Sequence, residues 1–149
     1  VELDVHMTRD GELVVAHDEE LSRVSNGLGF IRDMTVAELK KLRFNKVHPE
    51  YANATIPTLR EVLDLVDGKT PLLIELKSGL GNGKLCRALL DLTAGYKGEY
   101  IVESFNPLIV AWFRFHAPNV VRGQLAKRPR DFKKEELSNQ GTKVIMAGG

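Results

Sequence analysis

The stretch "VELDVHM" sets Glu2 and Asp4 two residues apart, and "PLLIELK" sets Glu75 and Lys77 at the same spacing. Residues i and i+2 of a strand project from one face. Three carboxylates offered by two strands form a donor set for one hard cation. Magnesium and calcium both take oxygen ligands, and crowded acids repel one another without a counter-charge. Taken alone, Glu2 and Asp4 also suit the wet side of an edge strand, and Glu75 with Lys77 suits an ion pair closing a strand end. The leucines and isoleucine around Glu75 favour a partnered site, because a charge held among apolar side chains is costly without one. His17 in "LVVAHDEEL" is the matching candidate for proton transfer, since imidazole changes charge near neutral pH. His6, His48 and His116 stand in weaker contexts.

These side chains need elements to position them. Val1 to Met7 alternates polar and apolar residues, the period of a strand. "TRDGEL" supplies an Asp-Gly turn over Thr8 to Glu12, and "LVVAH" reads as a returning strand that brings His17 back toward the end of the first. Thr35 with Glu38 and Thr58 with Glu61 have capping-box spacing, so "TVAELKKL" and "IPTLREVLDLVDGK" read as helices, the second stopped by Gly68. "PLLIELK" is a strand apolar enough to be buried on both faces. Helix-like "GKLCRALLDLTAG", strand-like "EYIVESF", helix-like "NPLIVAWFRFHAP" and strand-like "NVVRGQLA" follow, then charged Lys127 to Glu136 and a last strand-like run, "TKVIMAGG". Such alternation predicts an α/β fold, a parallel sheet of right-handed βαβ units. Ligands of such sheets collect at the carboxyl ends of the strands, where the candidate residues fall. Ser104 and Gln124 also stand at strand ends, suited either to a pocket lining or to turn and packing roles.

Composition narrows the classes. A chain of 149 residues, 43% hydrophobic and 28% charged, is expected to form a single domain over residues 1–149. A net charge of +1, from 21 basic and 20 acidic residues, gives no general attraction to nucleic acid or to an anionic membrane. No apolar run approaches the roughly 18 residues of a membrane span. The N-terminus lacks a signal-peptide layout, so a cytoplasmic location is expected. "GLGNGK" lacks dinucleotide-loop spacing, which argues against a nucleotide cofactor. Cys86, the single cysteine, lies in an apolar-periodic stretch and is expected to be a buried thiol. Trp112, Phe113 and Phe115 in "AWFRF" sit at helical spacing, which favours packing over a lipid entrance. Oligomeric state is not encoded by any of these features.

In order along the chain, "VELDVHMTRDGELVVAHDEELSRVSNGLGFIRDMTVAELKKL", "IPTLREVLDLV", "LLIELK", "ESFNP" and "VVRGQLA" resemble the glycerophosphodiester phosphodiesterase family. The resemblance implies a TIM-type (β/α)8 barrel and a calcium or magnesium ion. It also implies a small-molecule substrate class, glycerophosphodiesters, cleaved to glycerol 3-phosphate and an alcohol. By position, the family's metal carboxylates fall on Glu2, Asp4 and Glu75, its second catalytic histidine on His17 and its strand-end lysine on Lys77. In such families the substrate's own glycerol hydroxyl can attack first to give a cyclic phosphate, with His17 then the acid or base. Such a barrel takes about 250 residues, so this chain is expected to supply five or six of its eight strands. The family's His-Arg-Gly strand and Glu-Asn-Thr helix start are expected ahead of Val1, its Trp-Thr-Val strand beyond Gly149, and an omitted segment near Ser138 and Asn139. Two alternatives are a phospholipase D-like enzyme acting on lysophospholipids and a truncated, non-catalytic scaffold.

Overall fold

The computed structural model describes residues 1–77, 79 and 82–127. The charged stretch beyond Lys127, the run "TKVIMAGG" and the segment near Ser138 lie outside the described residues. Among the described residues five strands form one sheet, β1 (Glu2–Met7), β2 (Leu13–Val15), β3 (Leu72–Leu76), β4 (Tyr100–Ser104) and β5 (Arg122–Gln124), in the order β2-β1-β3-β4-β5. β2 pairs antiparallel with β1, whereas β1, β3, β4 and β5 run parallel. Helices α2 (Leu59–Val66), α3 (Asn82–Thr93) and α4 (Pro107–His116) carry the chain between parallel strands. Among the described residues this is an open sheet, four parallel strands with a hairpin strand at one edge, as expected of part of a β/α barrel wall.

Alternation divides the sheet into two faces. Val5, Leu72, Ile74, Leu76 and Val102 join the buried core with Leu59 and Leu63 of α2, Leu85, Cys86 and Leu89 of α3, and Ile109 and Phe113 of α4. Glu2, Asp4 and His6 of β1 project the other way, as do Leu73 and Glu75 of β3 and Ile101 and Glu103 of β4. That opposite face keeps Ile101 40% exposed, and Phe105, next on the same parity, is 47% exposed.

The hairpin from β1 to β2 closes with Thr8 N–H on the Glu12 carbonyl at 2.9 Å and Gly11 at φ +84°, a conformation glycine adopts without penalty. The long connection from β2 to α2 packs on a second, smaller core of Val14, Leu21, Ile31, Leu39 and Ile56.

Several elements are shorter than expected. The returning strand is only Leu13–Val15: Val15 N–H turns to the Pro57 carbonyl, Ala16 N–H makes a last bond to the Asp4 carbonyl of β1, and His17 lies two residues beyond the strand. The helix opened by Thr35 is one turn, α1 (Val36–Leu39). There Lys41 and Leu42 bond three residues back, and the Asn26 side chain captures Arg43 N–H at 2.8 Å. The turn ending α2 becomes left-handed at Asp67 (φ 49°), one residue ahead of Gly68. β5 keeps only Arg122–Gln124 of the expected run.

Candidate active site

Register brings the acids together. Asp4 of β1 pairs with Glu75 of β3, Glu75 with Glu103 of β4, and Glu103 with Gly123 of β5, so one row crosses the uncovered face. Glu2, Asp4 and Glu75 each place a carboxylate oxygen within 4.8 Å of the others. Lys77, the residue after β3, reaches into the same group. Its Nζ lies 2.7 Å from Asp4 Oδ1 and 2.6 Å from Glu75 Oε1, and its own side chain is 22% exposed.

One ammonium faces three carboxylates and leaves the group strongly negative. Glu103 registers that field. Its carboxyl is pushed above the ordinary glutamate value by burial and by the charges of Glu75, Glu2 and Asp4. Burial draws the Lys77 ammonium down, but its bonds to Asp4 and Glu75 outweigh burial and hold it above the usual lysine value. Among the described residues the group therefore fits a divalent ion: hard oxygen donors on rigid strands, crowded enough to need more positive charge than Lys77 supplies.

His17 arrives from the hairpin. Ala16 N–H donates to the Asp4 carbonyl at 3.0 Å, and His6 Nε2 lies 3.4 Å from the His17 carbonyl oxygen, so the backbone is tied to the acid-bearing half of β1. His6 is 8% exposed, and burial lowers its tendency to protonate. The His17 ring projects outward, 76% exposed, with Nδ1 2.7 Å from Asp18 Oδ1.

Two strand-end residues serve structure. Buried Ser104 donates its hydroxyl to the Leu76 carbonyl at 2.7 Å and accepts Asn106 N–H, which fixes the end of β3 just ahead of Lys77. Gln124 spends its amide on the carbonyls of Ser104, Phe105 and Leu125. In "AWFRF", Phe113 is fully buried and Trp112 stacks on His116 at 4.5 Å, so those two rings are packing groups, while Phe115 is exposed.

Sequence reasoning missed Glu103 and the pair Asp18 and Arg23. Glu103 carried a readable signal, one acid at strand parity within the apolar "YIVESF", the same signal that marked Glu75.

Comparison with known proteins points one way. The profile of the glycerophosphoryl diester phosphodiesterase family matches residues 1–147. A glycerophosphodiester phosphodiesterase of Bacillus subtilis is 45% identical over 167 residues, covering 99% of this chain and 57% of the relative. Its counterpart from Caldanaerobacter subterraneus subsp. tengcongensis is 39% identical over 132 residues, covering 84% and 54%. Among solved structures, an Oleispira antarctica phosphodiesterase in complex with the product sn-glycerol-3-phosphate superposes with a TM-score of 0.78 at 31% identity, covering 83% of this chain and 53% of that one. The chain spans about half the length of the curated relatives it matches.

Proposed function

Because the chain belongs to the glycerophosphoryl diester phosphodiesterase family, we propose that residues 1–149 form part of one catalytic domain. Its full-length protein hydrolyses glycerophosphodiesters to glycerol 3-phosphate and an alcohol in a divalent-ion-dependent reaction. The observation that carries this reading is the convergence of Glu2, Asp4 and Glu75 with Lys77 on one face of the adjacent parallel strands β1 and β3. Glu2, Asp4 and Glu75 would hold the ion, calcium or magnesium. When bound, such an ion supplies positive charge to the phosphate oxygens. Lys77 stays protonated and donates N–H to a non-bridging phosphate oxygen, where negative charge builds in the transition state. His17 gives a proton to the departing alcohol oxygen, or takes one from the water that completes hydrolysis.

The test is turnover of glycerophosphocholine by the full-length protein with calcium, with magnesium and with EDTA. Activity with either ion and none in EDTA is expected, and Glu75→Gln lowers turnover by about a hundredfold or more. Full activity in EDTA overturns metal dependence, and a preference for lysophospholipids over glycerophosphocholine overturns the substrate class. His17→Ala with undiminished turnover removes His17 from the mechanism.

A further inference from the structure

The His17 ring is mostly exposed, so packing does not fix its orientation. Its polar neighbours do. Asp18 Oδ1 lies 2.7 Å from His17 Nδ1. The other oxygen, Oδ2, accepts Arg23 Nε at 2.5 Å and also takes Arg23 Nη2. Arg23 stands on a loop that is itself held down. Leu21 and Ser25 are fully buried beneath it, and Lys46 Nζ donates to the Ser22 carbonyl at 2.7 Å. With one oxygen on the imidazole and the other on a guanidinium, the Asp18 carboxylate has both ends engaged and is only 19% exposed.

An ionised carboxylate only accepts hydrogen bonds, so the ring nitrogen that faces it must carry the proton. Asp18 is held in that state: the hydrogen bond from His17 and the Arg23 guanidinium keep its carboxyl below the ordinary aspartate value against the opposing effect of burial. We infer that Asp18, clamped by Arg23, is a positioning residue that fixes the neutral His17 imidazole with its proton on Nδ1 and leaves Nε2 to exchange protons with the substrate. The substrate clause rests on the proposed phosphodiesterase reaction, whereas the tautomer does not. In that reaction the glycerol hydroxyl oxygen bonds to phosphorus as the bond to the alcohol breaks, its proton passes to solvent, and the imidazolium gives its Nε2 proton to the departing alkoxide. Water then gives a proton to Nε2 as its oxygen bonds to phosphorus and the ring phosphorus–oxygen bond of the cyclic phosphate breaks, the freed glycerol oxygen taking a proton from solvent. Asp18 remains ionised through both transfers and keeps Nδ1–H aligned.

Long-range proton–nitrogen NMR of the histidine-labelled full-length protein, at a pH where the ring is neutral, reads the tautomer directly. Steady-state kinetics on glycerophosphocholine reads its consequence. The wild type is expected to show Nδ1–H at His17, and Asp18→Ala to move it toward Nε2–H. In the same variant kcat falls roughly tenfold to a hundredfold, the scale of a misplaced catalytic group, with KM unchanged. Arg23→Ala shows the same two changes in weaker form, and Arg23→Lys restores part of each. An Nε2–H tautomer in the wild type, or one unaltered by Asp18→Ala, overturns the inference. An unchanged kcat in Asp18→Ala overturns the catalytic half. Should the wild type turn over no diester, the proposed function fails, and the NMR measurement alone decides the role of Asp18.

Discussion

At the scale of single residues, Lys77 does the work of an internal counter-ion. It is protonated across the neutral range, because its raised pKa keeps its stabilising contribution intact below the unfolded lysine value, and pH must rise past the folded value before that contribution is lost. Replacing it by methionine strips the only ammonium bonded to Asp4 and Glu75 among the described residues. Lys77→Met is expected to lose on the order of 2 kcal/mol in urea unfolding with EDTA, less than a fully buried pair because water still reaches the site. Calcium should return more stability to this variant than it adds to the wild type, and an equal gain in both would show that Lys77 does not balance the carboxylates. The pairing of Glu75 with Lys77 was legible because polar residues broke an apolar strand at its period of two. The clamp of Asp18 by Arg23 was not legible, because the two sit five residues apart in an irregular loop, and only the fold of residues 18–25 over Leu21 brings Arg23 onto the neighbour of His17.

At the scale of elements, local signals were readable where an element depends on its own neighbours. Thr58 and Glu61 form the capping box their spacing announced, with Glu61 N–H on the Thr58 hydroxyl at 3.2 Å and Thr58 N–H on the Glu61 carboxylate at 2.8 Å. Glu61 also binds Lys40 Nζ at 2.6 Å, so one side chain starts α2 and ties it to the end of α1. Thr58→Ala is expected to cost about 1 kcal/mol, seen as a thermal midpoint lower by roughly 3 °C, with Thr58→Ser recovering most of it. The Thr35 box is equally well formed, yet its helix stops after one turn. The difference is tertiary. Asn26 claims the Arg43 N–H, and Leu39 buries itself in the small core beneath the loop, neither of which a periodic pattern reports. β2 is likewise cut short by its surroundings, since Val15 N–H turns to the Pro57 carbonyl of the connection ahead of α2.

At the scale of the whole molecule, the sheet has a packed side and a chemical side. Helices cover Leu72, Ile74, Leu76 and Val102, while the acid row crosses the side they leave uncovered. The sequence showed this division in two strands, and the third, with Glu103, completes it. That row stores repulsion. A carboxyl whose folded pKa is raised contributes stability that is fully present below its unfolded value and lost as pH rises through the folded one. Glu103, raised from 4.5, therefore weakens the metal-free fold at neutral pH. Glu103→Gln is expected to unfold at a higher temperature than the wild type at pH 7 in EDTA, with the gap narrowing as pH falls through the raised folded value toward 4.5, closed below it, and shrinking at pH 7 when calcium is added. A gap that ignores both pH and calcium would show that Glu103 does not share the field of the triad. The two sides of β1 thus answer to different masters. In a library randomising that strand, Leu3 and Val5 would be policed by the yield of folded protein. Glu2, which no ion pair holds among the described residues, would drift under the same screen, whereas Asp4 is kept by its bond to Lys77. Selection for folding yield alone would thus wear away the proposed ion site from Glu2 first, with no loss of fold to report it.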